Sequence, residues 1–386
     1  MATLTLPTAS GGLETYTTAS PRAFPAAAPP FSRVAFSAAH VVSDPRADID
    51  PWVGTAIDWD RTIAYRRYLW SLGLGVAEAM DTAQRGMGLD WPTSLELIRR
   101  SLDAARGEAN ALVFCGAGTD HLAQTPTMTV DDVIRAYEEQ CAAIERLGGR
   151  IILMASRALA SCARGPEDYL RVYDRVLGGV GAPVIIHWLG DMFDPALAGY
   201  WGHAAFPGAM ETCLAMIAAN AGKIDGIKIS LLDKAKEIEM RRRLPAGARM
   251  YTGDDFDYAE LIAGDAEGHS DALLGIFDAI APAASAALGS LARDDLAGFH
   301  AILAPTVPLS RHIFKAPTRF YKTGVVFMAY LNGHQDHFTM VGGQQSARSL
   351  AHLAELFRLA DRAGLLAEPD DASARMRRVL AVGGIA

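Results

Sequence analysis

Lys228 stands in the segment Gly226-Ile227-Lys228-Ile229-Ser230, where apolar and non-apolar positions alternate. In a pleated strand this alternation sends Ile227 and Ile229 to one face and Lys228 and Ser230 to the other. If the isoleucines meet a layer of helices, the ammonium points into the interior of the sheet. Desolvation there lowers its pKa and makes a nucleophilic amine accessible near neutral pH, the group that attacks a ketone or aldehyde to form a Schiff base. The ordinary alternative is a lysine at a sheet rim that reaches water or pairs with a carboxylate.

Other reactive side chains also follow short apolar runs. Asp81 and Thr82 come after GVAEAM, Asp120 and His121 after LVFC, and Arg157 after ILMA. His187 and Trp188 end VIIHW, Tyr251, Asp254 and Asp255 lie in MYTGDD, and Ser270 lies in GHSD. An imidazole moves protons near neutral pH, so His187 is a candidate acid or base, and a satisfied core histidine is the alternative. Asp254 and Asp255 form either a reactive pair or a turn and helix cap. Asp120 and His121 suit a hydroxylated substrate or a loop that caps the next helix, and Arg157 suits an anion or a neighbouring acid. Asn-Gly-His334-Gln-Asp336-His337 has its histidines three apart. The zinc helix of H-E-x-x-H has them four apart, so this segment reads as a loop at the site's mouth or a subunit contact.

These residues need a frame that gathers strand ends. Eight strands are expected: Val34 to Ala38, Gly75 to Met80, Ala111 to Cys115, Arg150 to Met154, Pro183 to His187, Gly226 to Ser230, Ala248 to Thr252 and Gly268 to Leu273. Helical patterns separate them. A capping box at Thr93 and Glu96, a cap at Thr129 and an opening proline at Pro166 mark three starts. Regular β/α alternation over roughly 250 residues predicts an α/β fold, a (β/α)8 TIM barrel whose active site sits at the carboxyl ends of the strands. Residues 1–32, rich in Ala, Pro, Thr and Ser, read as a flexible extension, 33–294 as the barrel and 295–386 as a C-terminal helical appendix.

Composition narrows the function. The net charge of −8 and the absence of any basic run longer than Arg241-Arg242-Arg243 argue against a nucleic-acid partner. No apolar stretch approaches twenty residues without a charge, which argues against a membrane span. Four widely spaced cysteines without a C-x-x-C pair fit reduced thiols in a cytoplasm, and the N-terminus lacks the pattern of a secretory signal.

GIKIS followed some two dozen residues later by YTGDD resembles the dihydrodipicolinate synthase and N-acetylneuraminate lyase superfamily. In that superfamily a G-I-K strand carries the Schiff-base lysine and the next strand ends in a similar turn. FCGAGTDHL is similar to its glycine-rich turn after strand 3, APVIIHW sits where P-V-I-L-Y-N is usual, and GHSDALLGIFDAIAP takes the place of its G-x-x-S segment. The resemblance covers roughly residues 33 to 365. It implies a (β/α)8 lyase with Lys228 as the covalent amine, no cofactor or metal, a small carbonyl substrate and a homo-oligomer.

Two departures matter. The superfamily's Thr-Thr pair after strand 2 reads Asp81-Thr82, and its strand-4 tyrosine has no counterpart in MASRALASCARG. Lys228, His187, Asp254 and Tyr251 are therefore the expected catalytic set. Asp81, Thr82, Asp120, His121, Arg157, Trp188, Asp255 and Ser270 are the expected substrate contacts. The expected reaction is class I aldol cleavage or condensation on a keto-sugar-like or 2-oxo-acid substrate. Two alternatives remain: a metal-dependent sugar isomerase or hydrolase using Asp81, His121, His187 and Asp254, and a barrel that binds a ligand without chemistry.

Overall fold

In the computed structural model, which describes residues 1–385, each of the eight expected runs forms a strand. The chain opens on an antiparallel hairpin, β1 (Thr3–Pro7) and β2 (Leu13–Thr17). Leu4 and Leu6 alternate inward and are buried, β1 packs on the last two helices, and the Tyr16 hydroxyl donates to Asp361 at 2.7 Å. The expected flexible stretch thus holds regular structure over residues 3–17. Its Thr-Leu alternation is too short to stand out beside the proline-rich segment that follows.

The barrel then runs β3 (Ala35–Ala38), α1 (Trp59–Ser71), β4 (Gly75–Glu78), α2 (Trp91–Ala105), β5 (Val113–Ala117), α3 (Val130–Arg146) and β6 (Arg150–Leu153). It continues with α4 (Arg157–Cys162), α5 (Pro166–Gly179), β7 (Val184–Leu189), α6 (Phe206–Ala219), β8 (Ile224–Ser230) and α7 (Lys234–Arg241). It ends with β9 (Arg249–Thr252), α8 (Tyr258–Ala263), β10 (Asp271–Leu274) and α9 (Ile276–Ala279). All neighbouring strands are parallel, and β10 pairs with β3 to close the circle. This is a (β/α)8 barrel.

Cap chemistry fixes the helix starts. Thr129 and Asp132 form a reciprocal capping box on α3, and Pro166 opens α5. On α2 the cap is Asp90, whose carboxylate accepts from the Thr93 N–H at 2.9 Å, so that helix begins ahead of the expected Thr93 cap.

The barrel interior is filled by Phe36, Ala77, Phe114, Ile152, Ile185, Tyr251 and Leu273, while the isoleucines and leucines of the opposite pleat join the larger core under the helices. Beyond the barrel come α10 (Ala281–Leu291), α11 (Leu296–Leu303), α12 (Val307–Ile313), α13 (Tyr321–Leu331), α14 (Leu350–Arg362) and α15 (Pro369–Val382). Every residue of α13 is buried. The helix packs on α9 and on the turn Asp81–Ala83, both of which follow carboxyl ends of barrel strands. The C-terminal region therefore covers part of the barrel mouth. No helix among the described residues is long and apolar enough to cross a membrane.

Candidate active site

The pleat of β8 places Lys228 as its alternation dictates. Ile227 and Ile229 are fully buried in the outer core, and Lys228 sits beside His187 of β7 and Tyr251 of β9 in the strand register. Lys228 is 7% exposed. Burial pushes its amine below the usual lysine range, while Asp255 and Asp81 pull it back up. Among the described residues no hydrogen bond reaches its Nζ. Gly253 makes room for it: a Cβ there would lie 2.8 Å from Lys228 Cε and 2.6 Å from the Ile229 carbonyl oxygen.

Asp255 is the carboxyl nearest in effect. Its Oδ1 accepts the Ile276 N–H at 2.9 Å, at the start of α9. Burial raises its pKa to about 7 against the lowering pull of that N–H and of Lys228. Burial thus holds the Lys228 amine down and the Asp255 carboxyl up, and the two charges act on each other in opposite senses. His187 is fully buried; its Nε2 lies 3.3 Å from Ser230 Oγ, and its Nδ1 has no partner among the described residues. Burial and the Lys228 charge push it well below the usual histidine range, so the imidazole is neutral and a poor proton acceptor.

Asp81 and Thr82 are presented by a strained turn. Ala79 takes φ 53, a left-handed conformation unusual for alanine. The residue before it anchors the strand end: Glu78 accepts from Arg66 at 2.8 and 2.9 Å and from the Ala79 N–H at 2.9 Å. Thr82 Oγ1 lies 2.8 Å from the Tyr321 hydroxyl, contributed by the first turn of α13. The next residue, Lys322, is only 4% exposed. Its Nζ donates to the Arg319 carbonyl at 3.1 Å and to Met87 Sδ at 3.2 Å. Burial brings it down to about 8.

A cavity of about 490 Å³ opens beside these groups, lined among others by Asp81, Arg85, Trp91, Asp120, His121, Arg157 and His187. Lys228, the register partner of His187, is not itself in the cavity lining. Arg85 organises one wall: it donates to Asp120 at 2.7 and 3.1 Å and lies over the Trp91 ring. Gln140 links Asp120 (3.1 Å) to His121 (2.7 Å). Arg157 pairs with Asp194 and leaves its terminal nitrogens beside Gly86.

Four expected residues are not in this group. Tyr251 lies beside Lys228 in the register, but its hydroxyl donates to Asp225 at 2.6 Å, near the amino end of β8, away from the mouth. Asp254 is buried outside the cavity lining; its Oδ1 accepts from the Phe256 and Asp257 N–H groups, which is the turn-capping alternative, and it is its neighbour Asp255 whose charge acts on Lys228. Trp188 falls on the outer pleat with Ile229 and stacks on Phe206 in the helical layer. Ser270 donates to the buried Glu237 at 2.7 Å just before β10, outside the cavity. Of the four residues in the metal alternative, Asp254 is not in the cavity lining, and no group of three or more potential ligands converges among the described residues.

Tyr321, Lys322, Arg85 and Trp91 were not singled out from the sequence. Lys322 left a signal there, as the one charge in the otherwise uncharged stretch Tyr321–Leu331. Of the NGHQDH segment, His334 packs against Tyr65 and Tyr68, Asp336 pairs with Arg61, and His337 bonds to Thr339.

A parallel eight-stranded barrel with a buried lysine on its sixth strand and helices over its mouth has the fold of the dihydrodipicolinate synthases. Solved structures bear this out. The enzyme from Aquifex aeolicus superposes with a TM-score of 0.64 at 11% identity, covering 87% of this chain and 99% of that one. YagE, a prophage protein of the same family from E. coli K12 in complex with pyruvate, gives 0.64 at 13%, covering 92% and 99%. The chloride-inhibited synthase from Acinetobacter baumannii complexed with pyruvate gives 0.62 at 16%, covering 86% and 99%. At such identities the likeness shows the fold. The chain belongs to DUF993, described as a protein of unknown function, whose family model matches residues 4–385. No curated protein matches it.

Proposed function

We propose that this protein is a lysine-dependent lyase that forms or breaks a carbon–carbon bond in a hydroxylated carbonyl compound. The observation that carries the reading is Lys228: a buried amine at the carboxyl end of a barrel strand, held below the usual lysine range by burial, and the strand-register partner of His187, which lines a sizeable cavity.

Asp255 takes the ammonium proton, and the free amine adds to the substrate carbonyl. Loss of water leaves an iminium on Lys228. In the cleavage direction Asp81 removes the proton from the hydroxyl β to the iminium carbon, the carbon–carbon bond breaks toward the iminium nitrogen, and an aldehyde leaves. The resulting enamine is protonated on carbon, and water releases the second product. No metal or cofactor enters this scheme.

The cavity supports a hydroxylated substrate class. At about 490 Å³ it is in the range of ligand pockets that hold molecules much larger than a three-carbon acid. Its far wall offers the Arg85–Asp120–His121 network and the Trp91 ring, which suit hydroxyls and the apolar face of a sugar-like or cyclitol-like ketone. A carboxylate at Asp81 also repels a 2-oxo acid at short range. Competition between pyruvate and neutral keto-sugars for borohydride trapping tests this: keto-sugars should win, and efficient trapping of pyruvate alone at low concentration would overturn it. We further propose that the chain works as a homo-oligomer, which a monomeric mass by light scattering would refute.

A further inference from the structure

A second cavity, of about 350 Å³, shares no lining residue with the first. Its walls come from parts of the chain far apart in sequence: α1, α9 with the start of α10, α13 and the loop after it, the loop between α14 and α15, and the N-terminal segment at Arg22 and Phe24. A cavity of that size is within the range that holds small molecules.

The N-terminal wall is a strap. Residues 18–32 form no helix or strand, yet they are pressed onto the body at three glycines. A Cβ at Gly364 would lie 2.4 Å from Arg22 Cβ, one at Gly289 2.6 Å from Ala27 Cβ, and one at Gly73 2.8 Å from Pro29 Cδ. Glycine at each of these positions lets the strap approach this closely. The strap thereby brings Arg22 and Phe24 to the cavity, with the guanidinium 5.4 Å from the centre of the Phe24 ring.

The facing wall is aromatic. The His334 ring centre lies 4.5 Å from that of Tyr68 and 4.8 Å from that of Tyr65. The Tyr65 hydroxyl donates to the Asp278 carbonyl oxygen at 2.7 Å, whereas among the described residues no hydrogen bond reaches the Tyr68 hydroxyl or the His334 imidazole. Burial brings His334 down to about 4, so at neutral pH its ring offers one N–H and one acceptor nitrogen.

The two charged residues of the lining differ in what they leave free. The Asp278 side chain is fully buried and is held by His40, which donates its backbone N–H at 2.8 Å and places Nδ1 2.8 and 3.0 Å from the two carboxylate oxygens. Arg22 is exposed and pairs with no carboxylate among the described residues; its terminal nitrogens reach only the Ala301 carbonyl oxygen, at 3.3 Å. A guest therefore meets aromatic faces, a free hydroxyl, a neutral imidazole and one available cation.

We propose that this cavity is a binding site for a small aromatic acid, its ring against Tyr68, His334 and Phe24 and its carboxylate on Arg22. The ring gains from the aromatic faces, and the carboxylate accepts a charge-assisted pair of N–H bonds from the guanidinium. Because the strap supplies both Phe24 and the cation, the irregular N-terminal segment closes over the guest.

Indole-3-acetate, indole-3-acetamide and tryptamine share one ring system and differ in charge, which makes them the probes for the full-length protein. Calorimetric titration should show the acid binding at millimolar concentration or below, at least about tenfold more tightly than the amide or the amine. Arg22→Gln should remove that preference, and Tyr68→Ala should weaken all three probes, with circular dichroism verifying the fold of each variant. Bound acid should also slow trypsin cleavage of the Arg22–Ala23 bond at least about fivefold, since the strap is cleaved only when it opens. Lys228→Ala should bind the acid as the wild type does, so this site stands or falls separately from the Schiff-base reading. Absence of acid binding, tryptamine binding as tightly as the acid, or an acid affinity unchanged by both Arg22→Gln and Tyr68→Ala would each overturn the proposal.

Discussion

Gly253→Ala is the smallest change that strikes the Lys228 seat. The added methyl would stand 2.6 Å from the Ile229 carbonyl oxygen and 2.8 Å from Lys228 Cε, and inside contact distance of Ser230 Oγ. The lysine stem and the serine hydroxyl can swing away, but the carbonyl cannot, because it accepts the Gly253 N–H at 2.8 Å and joins β8 to β9. Relief must come from spreading those strands or displacing Lys228. Overpacking of this kind costs about 1–3 kcal/mol of stability. A displacement approaching ~1 Å at a reacting amine costs up to about 100-fold in rate. The expected outcome is a folded protein with a lower melting temperature and adduct formation on Lys228 at least ten times slower. Urea unfolding and quenched-time borohydride trapping, read by intact mass, measure the two effects. Gly178→Ala in α5, where an added methyl meets nothing within 4 Å, is the control: it should leave trapping unchanged and raise stability slightly, as alanine does in a helix. A Gly253→Ala protein that traps at the wild-type rate would refute the packing argument for Lys228.

Tyr251→Phe should leave adduct formation unchanged and cost about 1 kcal/mol in unfolding experiments, since its hydroxyl serves Asp225 and not the cavity; a large loss of trapping would return Tyr251 to the catalytic set. Glu237, buried and bonded to Ser270 and Thr252, is raised to about 8 from 4.5. The native state then holds a proton that the unfolded chain releases, so this contribution to stability is full below pH 4.5 and is lost as pH rises through 8, by a few kcal/mol at about 1.4 kcal/mol per pH unit. Unfolding across that range should show the decline in the wild type, and Glu237→Gln should flatten it; an unchanged slope would exclude Glu237 as its source. Turnover should survive thorough chelation, because an iminium supplies the electron sink of the proposed scheme; loss with EDTA, restored by one divalent ion, would favour the metal alternative.

The barrel was legible because each strand is a compact apolar run bounded by helix caps, and because Lys228 lies in a strand whose alternation points it inward. Which aspartate of Gly253-Asp254-Asp255 faces the lysine was not legible. The strand ends at Thr252 and the pleat does not carry through the turn, so only the hydrogen bonds to Phe256, Asp257 and Ile276 sort the two. Trp188 was misplaced although the information was present: it pairs with Ile229, and a residue beside an outward isoleucine is itself outward. Tyr251 fails for a different reason. Its inward direction was right, but a long side chain can lean toward either end of a barrel, and the Asp225 carboxylate decides which. Tyr321 and Lys322 lie more than ninety residues beyond Lys228, and strand periodicity gives no hint that a helix this late in the chain returns to the mouth.

The central claim is covalent chemistry at Lys228, and the most direct measurement is intact-mass and peptide mass spectrometry after borohydride reduction in the presence of a panel of keto-sugars, cyclitol ketones and 2-oxo acids. A single reduced adduct is expected on Lys228 in the wild type and none in Lys228→Ala, which should also lose turnover. A wild-type enzyme that turns over its substrate and is never modified, or a Lys228→Ala variant that keeps full activity, would contradict it.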